Sequence, residues 1–138
     1  MVAPYMDQPE LESREELVQA RDALADALIL RDGGGTPGAV INRLYYPTFH
    51  AAQAVLYLRG INPGSHGHVR QAFGQSVVLA GDTPRSDGEL LGKLYDYRHQ
   101  ADYGRLNLTV DVTDLFEEVE GFVERMEALV EQDVGSTS

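Results

Sequence analysis

Every long apolar pattern in this 138-residue chain repeats at helical spacing, and clusters of glycine, proline and small polar residues cut it into five pieces. From Leu11 to Arg31 the residues Leu17, Ala20, Leu24, Ala27 and Leu28 form one stripe, which Gly33-Gly34-Gly35 ends. Thr36 as a cap and Pro37 at the first helical position start a second helix running to about Arg59. Its inward set is Ile41, Leu44 or Tyr45, Thr48, Ala52 and Val55, and Pro47 predicts a bend near His50. After Gly60 and the turn Ile61-Asn-Pro-Gly64, Ser65 caps a shorter helix from His66 to Leu79 with Val69, Phe73 and Val77 inward. A fourth helix from Asp87 to near Gly104 carries Leu90, Leu94, Tyr97 and Ala101, and Asp111 caps a fifth. That last helix turns Leu115, Phe116, Val119, Phe122, Val123, Met126, Leu129 and Val130 inward.

These pieces predict an all-α fold: an antiparallel up-and-down helical bundle of four main helices plus one short helix. The bundle takes residues 11–133, between a flexible N-terminal arm (1–10) and a disordered tail (134–138). Arg105 to Val110 alternates like a strand, but with no second strand to pair it an extended connector is expected.

Composition removes several function classes. There is no cysteine, so a disulfide framework or a thiolate metal site is excluded. No apolar run approaches the ~18–20 residues needed to span a bilayer, and no basic-then-hydrophobic leader is visible, so the expectation is a cytoplasmic protein without a membrane partner. The formal net charge is −11, and the basic set is ten arginines against one lysine, Lys93. Such a balance fits either a high-salt cytoplasm or an ordinary acidic protein from a GC-rich genome. In both cases an RNA ligand has to be held by a local arginine cluster.

The chemistry-bearing residues lie on two helices. Arg98 and Asp102 stand one turn apart in Tyr97-Arg-His-Gln-Ala-Asp-Tyr-Gly104, with Tyr103 beyond them. They read either as an ordinary ion pair beside an amphipathic tyrosine or as a bidentate phosphate grip oriented by a carboxylate. The second helix carries Arg43, Tyr46, His50 and Gln53 on one polar stripe. His50, among aromatic and small residues, reads as a packing histidine or as an acid–base group. His66 and His68 do not share a helix face and lack a carboxylate companion, so no metal site is expected; His66 near a helix N-terminus suits an anion instead. Gly33-Gly34-Gly35-Thr36 lacks the Gly-Lys ending of a phosphate loop, and no Gly-x-Ser-x-Gly elbow occurs. The glutamates at 117, 118, 120, 124, 127 and 131 read as a solvated face.

Taken together, these segments resemble a known family. Asn42-Arg-Leu-Tyr-Tyr-Pro-Thr-Phe-His-Ala-Ala-Gln-Ala-Val-Leu56 is similar to the Ala-Tyr-Tyr-Ala-x-Phe-His-Ala-Ala helix of HEPN domains (higher eukaryotes and prokaryotes nucleotide-binding). His66 to Val69 fits the next element, and Tyr95 to Gly104 resembles the Arg-x-x-Ala-Asp-Tyr ending of a small stand-alone branch. The resemblance spans about residues 11–130. It implies a homodimer, a partnership with a minimal nucleotidyltransferase in a toxin–antitoxin or stress-defence module, and a nucleotide or RNA phosphate at a dimer cleft. No cofactor is implied. Active members are metal-independent ribonucleases with an arginine followed four to six residues later by histidine. Here Arg98 matches the arginine, while Asp102 and Tyr103 stand where the histidine is expected. On this resemblance Arg98, Asp102 and His50 are the catalytic candidates, and Arg43, Tyr46, His66 and Tyr103 the ligand-binding ones. Three functions follow from it: phosphate binding within such a module, cleavage by an altered endoribonuclease, or a purely structural partnership. Tyr103 also stands where a partner transferase would modify a tyrosine.

Overall fold

The computed structural model describes residues 7–102 and 111–135. In chain order these form α1 (Gln8–Asp32), α2 (Pro37–Leu58), α3 (His66–Phe73), a five-residue π-helical turn (Gly74–Val78), α4 (Arg85–Asp102) and α5 (Val112–Gly135). The all-α bundle expected from the spacing is what forms. The alternating stretch 105–110 lies outside the described residues.

Caps account for most of the boundaries. Asp7 accepts from the Glu10 amide, so α1 begins at Gln8 rather than near Leu11. Thr36, Ser65 and Asp111 accept from the amides of Ala39, His68 and Asp114, as a cap residue should. Between α1 and α2 the turn is tight. A Cβ at Gly35 would come within 2.7–2.8 Å of Leu30, so only glycine lets α2 fold straight back along α1. At the other end of α2, Gly60 adopts φ +78 and the Ile61 amide reaches the Leu56 carbonyl, which stops the helix.

α2 is the central rod and packs against α1, α3, α4 and α5. Ile41, Leu44, Tyr45, Thr48, Ala52 and Val55 are buried as the spacing predicts, and so are all eight inward residues of α5. In α1 the stripe is rotated slightly: Ser13, Glu16, Ala20, Leu24 and Ala27 are buried, whereas Leu28 is partly exposed. Each fully buried leucine or phenylalanine contributes about 1.5–3 kcal/mol, so the α2–α5 core dominates the energetics. No described helix is long and apolar enough to cross a membrane.

Two polar clasps lock the bundle. Arg59, at the end of α2, donates to Asp82 and Asp133 and to the Ser76 carbonyl, joining α2, the π-turn and α5. Asp87, expected to open α4, lies instead within its first turn, since the helix begins at Arg85, and is buried. Its carboxylate takes a two-pronged grip from Arg125 and a short hydrogen bond from Thr83.

Candidate functional site

The site is built where α1, α3 and α4 meet the middle of α2. On α1 and α2 the register is set by two contacts. Ser13 Oγ donates to the Ala54 carbonyl at 2.7 Å. Three residues on along α1 and four back along α2, Glu16 Oε2 lies 2.6 Å from His50 Nδ1. One turn further, Ala23, Asp26, Arg43, Tyr46 and His50 line a cleft of about 170 Å³. Asp26 and Arg43 also border an open groove of about 700 Å³ that runs past Thr36 and Asn42 to Ala101 on α4.

Arg98 enters from α4. Its guanidinium carbon lies 5.2 Å from the ring centre of Tyr45 and 5.4 Å from that of Tyr46, within cation–π range of both. Its Nε is buried and, among the described side chains, has no hydrogen-bond partner. Among the described side chains no carboxylate pairs with it, whereas Arg59 and Arg125 each hold aspartates. A buried N–H on a cation left unpaired is costly, by about 1–3 kcal/mol or more. An anion that approaches the edge of this guanidinium recovers that cost.

Aromatic groups frame the arginine. His66, the first residue of α3, stacks on Phe49 with ring centres 4.1 Å apart and planes 5° from parallel. Its Nδ1 is 2.8 Å from the Tyr45 hydroxyl. Burial, opposed only in part by Arg98, pushes the Tyr45 phenol well above its ordinary range, so it stays protonated beside His66 Nδ1. Burial, and then the charges of Arg98 and His50, lower the His66 pKa from 6.5, so near neutrality the ring is uncharged.

Six of the residues singled out by sequence can be located. Arg98, Tyr46 and His66 surround the same patch, and His50 and Arg43 line the adjoining cleft with Tyr46 common to both. Asp102 is the last residue of α4, one turn after Arg98. Tyr103 lies outside the described residues. His99 is exposed and packs edge-on against Tyr95, which in turn packs on Tyr45. His68 bonds to its own cap residue, Ser65.

Two contributors went unrecognised in the sequence. Tyr45 reads there as core filler, yet its hydroxyl is hydrogen-bonded to His66 Nδ1. Glu16 is not singled out there at all, yet it is buried against His50. The available signal was that Ser13, Glu16, Ala20, Leu24 and Ala27 continue one helical stripe, on which a glutamate has to find a partner.

Comparison with known proteins places these residues in context. The HEPN domain family matches residues 13–134. The chain is 31% identical to a UPF0332 protein of Thermotoga maritima over 82% of its own length and 86% of that protein's. It is 29% identical to a protein named "Putative toxin" in Methanocaldococcus jannaschii, over 88% of this chain and 87% of the relative. A UPF0332 protein of Pyrococcus horikoshii is 38% identical over a shorter stretch, 55% of this chain and 52% of that one.

Proposed function

This chain belongs to the HEPN family, and from that premise we propose that it is the toxin-type half of a two-gene module and binds RNA or nucleotide phosphate through Arg98. The observation that carries this reading is the Arg98 guanidinium, enclosed by Tyr45 and Tyr46, with a buried Nε that has no hydrogen-bond partner among the described side chains. Phosphate oxygens match the guanidinium fork in charge and spacing. His66 adds an uncharged imidazole on the rim. Tyr46, which lines the cleft, offers an aromatic wall for stacking a base. The open groove past Arg43 to Ala101 gives an extended strand somewhere to lie.

A homodimer and a nucleotidyltransferase partner complete the proposal. A cleft shared by two copies would double the arginines facing one ligand, which matters in a chain of net charge −11 that has no long-range attraction for nucleic acid. The test is fluorescence anisotropy with a labelled single-stranded RNA at fixed salt. Arg98→Ala is expected to weaken binding by roughly 10–100-fold and Arg98→Lys by less, in keeping with the worth of a charge-assisted bidentate contact. Affinity unchanged within twofold in Arg98→Ala would rule the reading out.

A further inference from the structure

We propose that the cleft between α1 and α2 reads a base and selects guanine, the Asp26 carboxylate accepting from N1–H and N2–H and the Arg43 guanidinium donating to O6 and N7. The proposal rests on RNA or nucleotide being the ligand, and adds to that reading which base is chosen.

Asp26 on α1 and Arg43 on α2 both line the cleft of about 170 Å³, together with Ala23, Tyr46 and His50. Both are exposed, and among the described side chains neither forms a hydrogen bond or an ion pair, with the other or with any third group. That is unusual in this chain, where Arg14, Arg21, Arg59 and Arg125 each reach a carboxylate on another element. Two opposite charges that share a small cleft without closing on each other leave room for a flat group between them. A carboxylate also works against phosphate, so a cleft that only gathered phosphate would have no use for Asp26. The walls suit a ring: Tyr46 is aromatic, His50 is held by Glu16 at 2.6 Å, and Ala23 adds only a methyl group.

A carboxylate only accepts and a guanidinium only donates, so the partner that satisfies both presents two donors on one edge and two acceptors on the next. Of the four common bases guanine alone does this, with N1–H and N2–H on one side and O6 and N7 on the other. Adenine and cytosine set an amino donor beside a ring acceptor, and uracil sets its single N–H between two carbonyls. Each of them turns an acceptor towards Asp26 or leaves the Arg43 fork half used. Asp26 and Arg43 also border the open groove of about 700 Å³, through which the flanking strand leaves the cleft. Tyr46 belongs to the cleft and also to the enclosure of Arg98, so base pocket and phosphate grip share one ring.

The experiment uses the full chain and labelled oligouridine strands carrying one central guanosine, adenosine, inosine or 7-deazaguanosine, with binding read by fluorescence anisotropy at fixed salt. The guanosine strand should bind about 10–100-fold tighter than the adenosine strand. Inosine, which lacks the N2 amino group, and 7-deazaguanosine, which lacks the N7 acceptor, should each forfeit about tenfold. Asp26→Asn should bind every strand somewhat tighter, because a charge that repels phosphate is gone, yet no longer tell guanosine from inosine. Arg43→Gln should no longer tell guanosine from 7-deazaguanosine. Both side chains are exposed, so neither substitution disturbs the core. GMP and AMP as competitors show whether the base is held within a strand or as a free nucleotide, with guanine favoured in either source. Equal affinity for guanosine and adenosine strands while Arg98-dependent binding persists, or a guanosine preference that survives Asp26→Asn, would overturn this proposal alone. If instead the preference is present and Arg98→Ala binds normally, the phosphate-binding reading is what fails.

Discussion

His66 shows how much one side chain's chemistry depends on neighbours that are distant in sequence. Ser65 before a helix makes its place at the start of α3 legible, but nothing local announces Tyr45 at 2.8 Å or Phe49 stacked on the ring. Those contacts are what keep it neutral. Because its pKa is lowered in the folded protein, the unfolded chain binds the proton more readily than the native one. The stability from the neutral ring is therefore complete above the unfolded value of about 6.5 and is lost as pH falls below it. Carboxylates remain largely ionised down to about pH 5.5, so the histidine can be isolated in that window. His66→Gln should lose less stability than wild type between pH 7.5 and 5.5, measured by urea unfolding at each pH. Parallel losses in the two proteins would show that the ring's burial has no energetic weight. Arg98 is the opposite case, since its spacing marked it at once. Sequence alone left open whether Asp102 or a ligand meets it, because that choice depends on the rings of α2.

Helices were easier to foresee than their partners, and the reason is range. Thr36, Ser65 and Asp111 act on amides three residues away, so their caps are visible in a short window. α5 repeats its apolar residues so regularly that all eight inward positions follow from spacing. The π-turn at Gly74–Val78 breaks this regularity: the Leu79 amide bonds back to Gly74, five residues away, and no pattern in the sequence marks it. Arg59 explains why the turn is held. It ties the Ser76 carbonyl, Asp82 and Asp133 together, and only the fold brings those three to the end of α2. Arg59→Ala should cost about 2 kcal/mol, because its charge-assisted bonds are well enclosed and leave carboxylates and a carbonyl unmatched. Arg21→Ala, which breaks a pair with Glu127 on the exposed α1–α5 seam, should cost under about 1 kcal/mol. Denaturant unfolding of the two variants compares them directly, and equal losses would contradict a clasp at Arg59.

Across the whole molecule, acidity poses a question of balance. The chain carries 22 acidic residues against 11 basic ones. Several of the basic groups are already committed, Arg14 and Arg21 to α5 glutamates, Arg59 and Arg125 to aspartates. Glu117, Glu118, Glu120 and Glu124 stay exposed along the outer face of α5. Salt has two opposite effects on such a surface. It weakens the exposed attractive pairs, each worth under about 1 kcal/mol, and it relieves repulsion among the many unpaired carboxylates. Raising ionic strength from 0.05 to 1 M shrinks the screening distance from about 14 Å to about 3 Å, which is shorter than one turn of α5. Repulsion acts over longer distances than the ion pairs do, so relief should win. Stability should rise by on the order of 1–2 kcal/mol between those limits in KCl, measured by thermal unfolding. RNA affinity should fall over the same range only gently, because one enclosed guanidinium releases few counterions and the general repulsion between an acidic protein and RNA is screened at the same time. A Tm that drops as KCl is added would mean that the surface pairs, not the surplus of carboxylates, govern this fold.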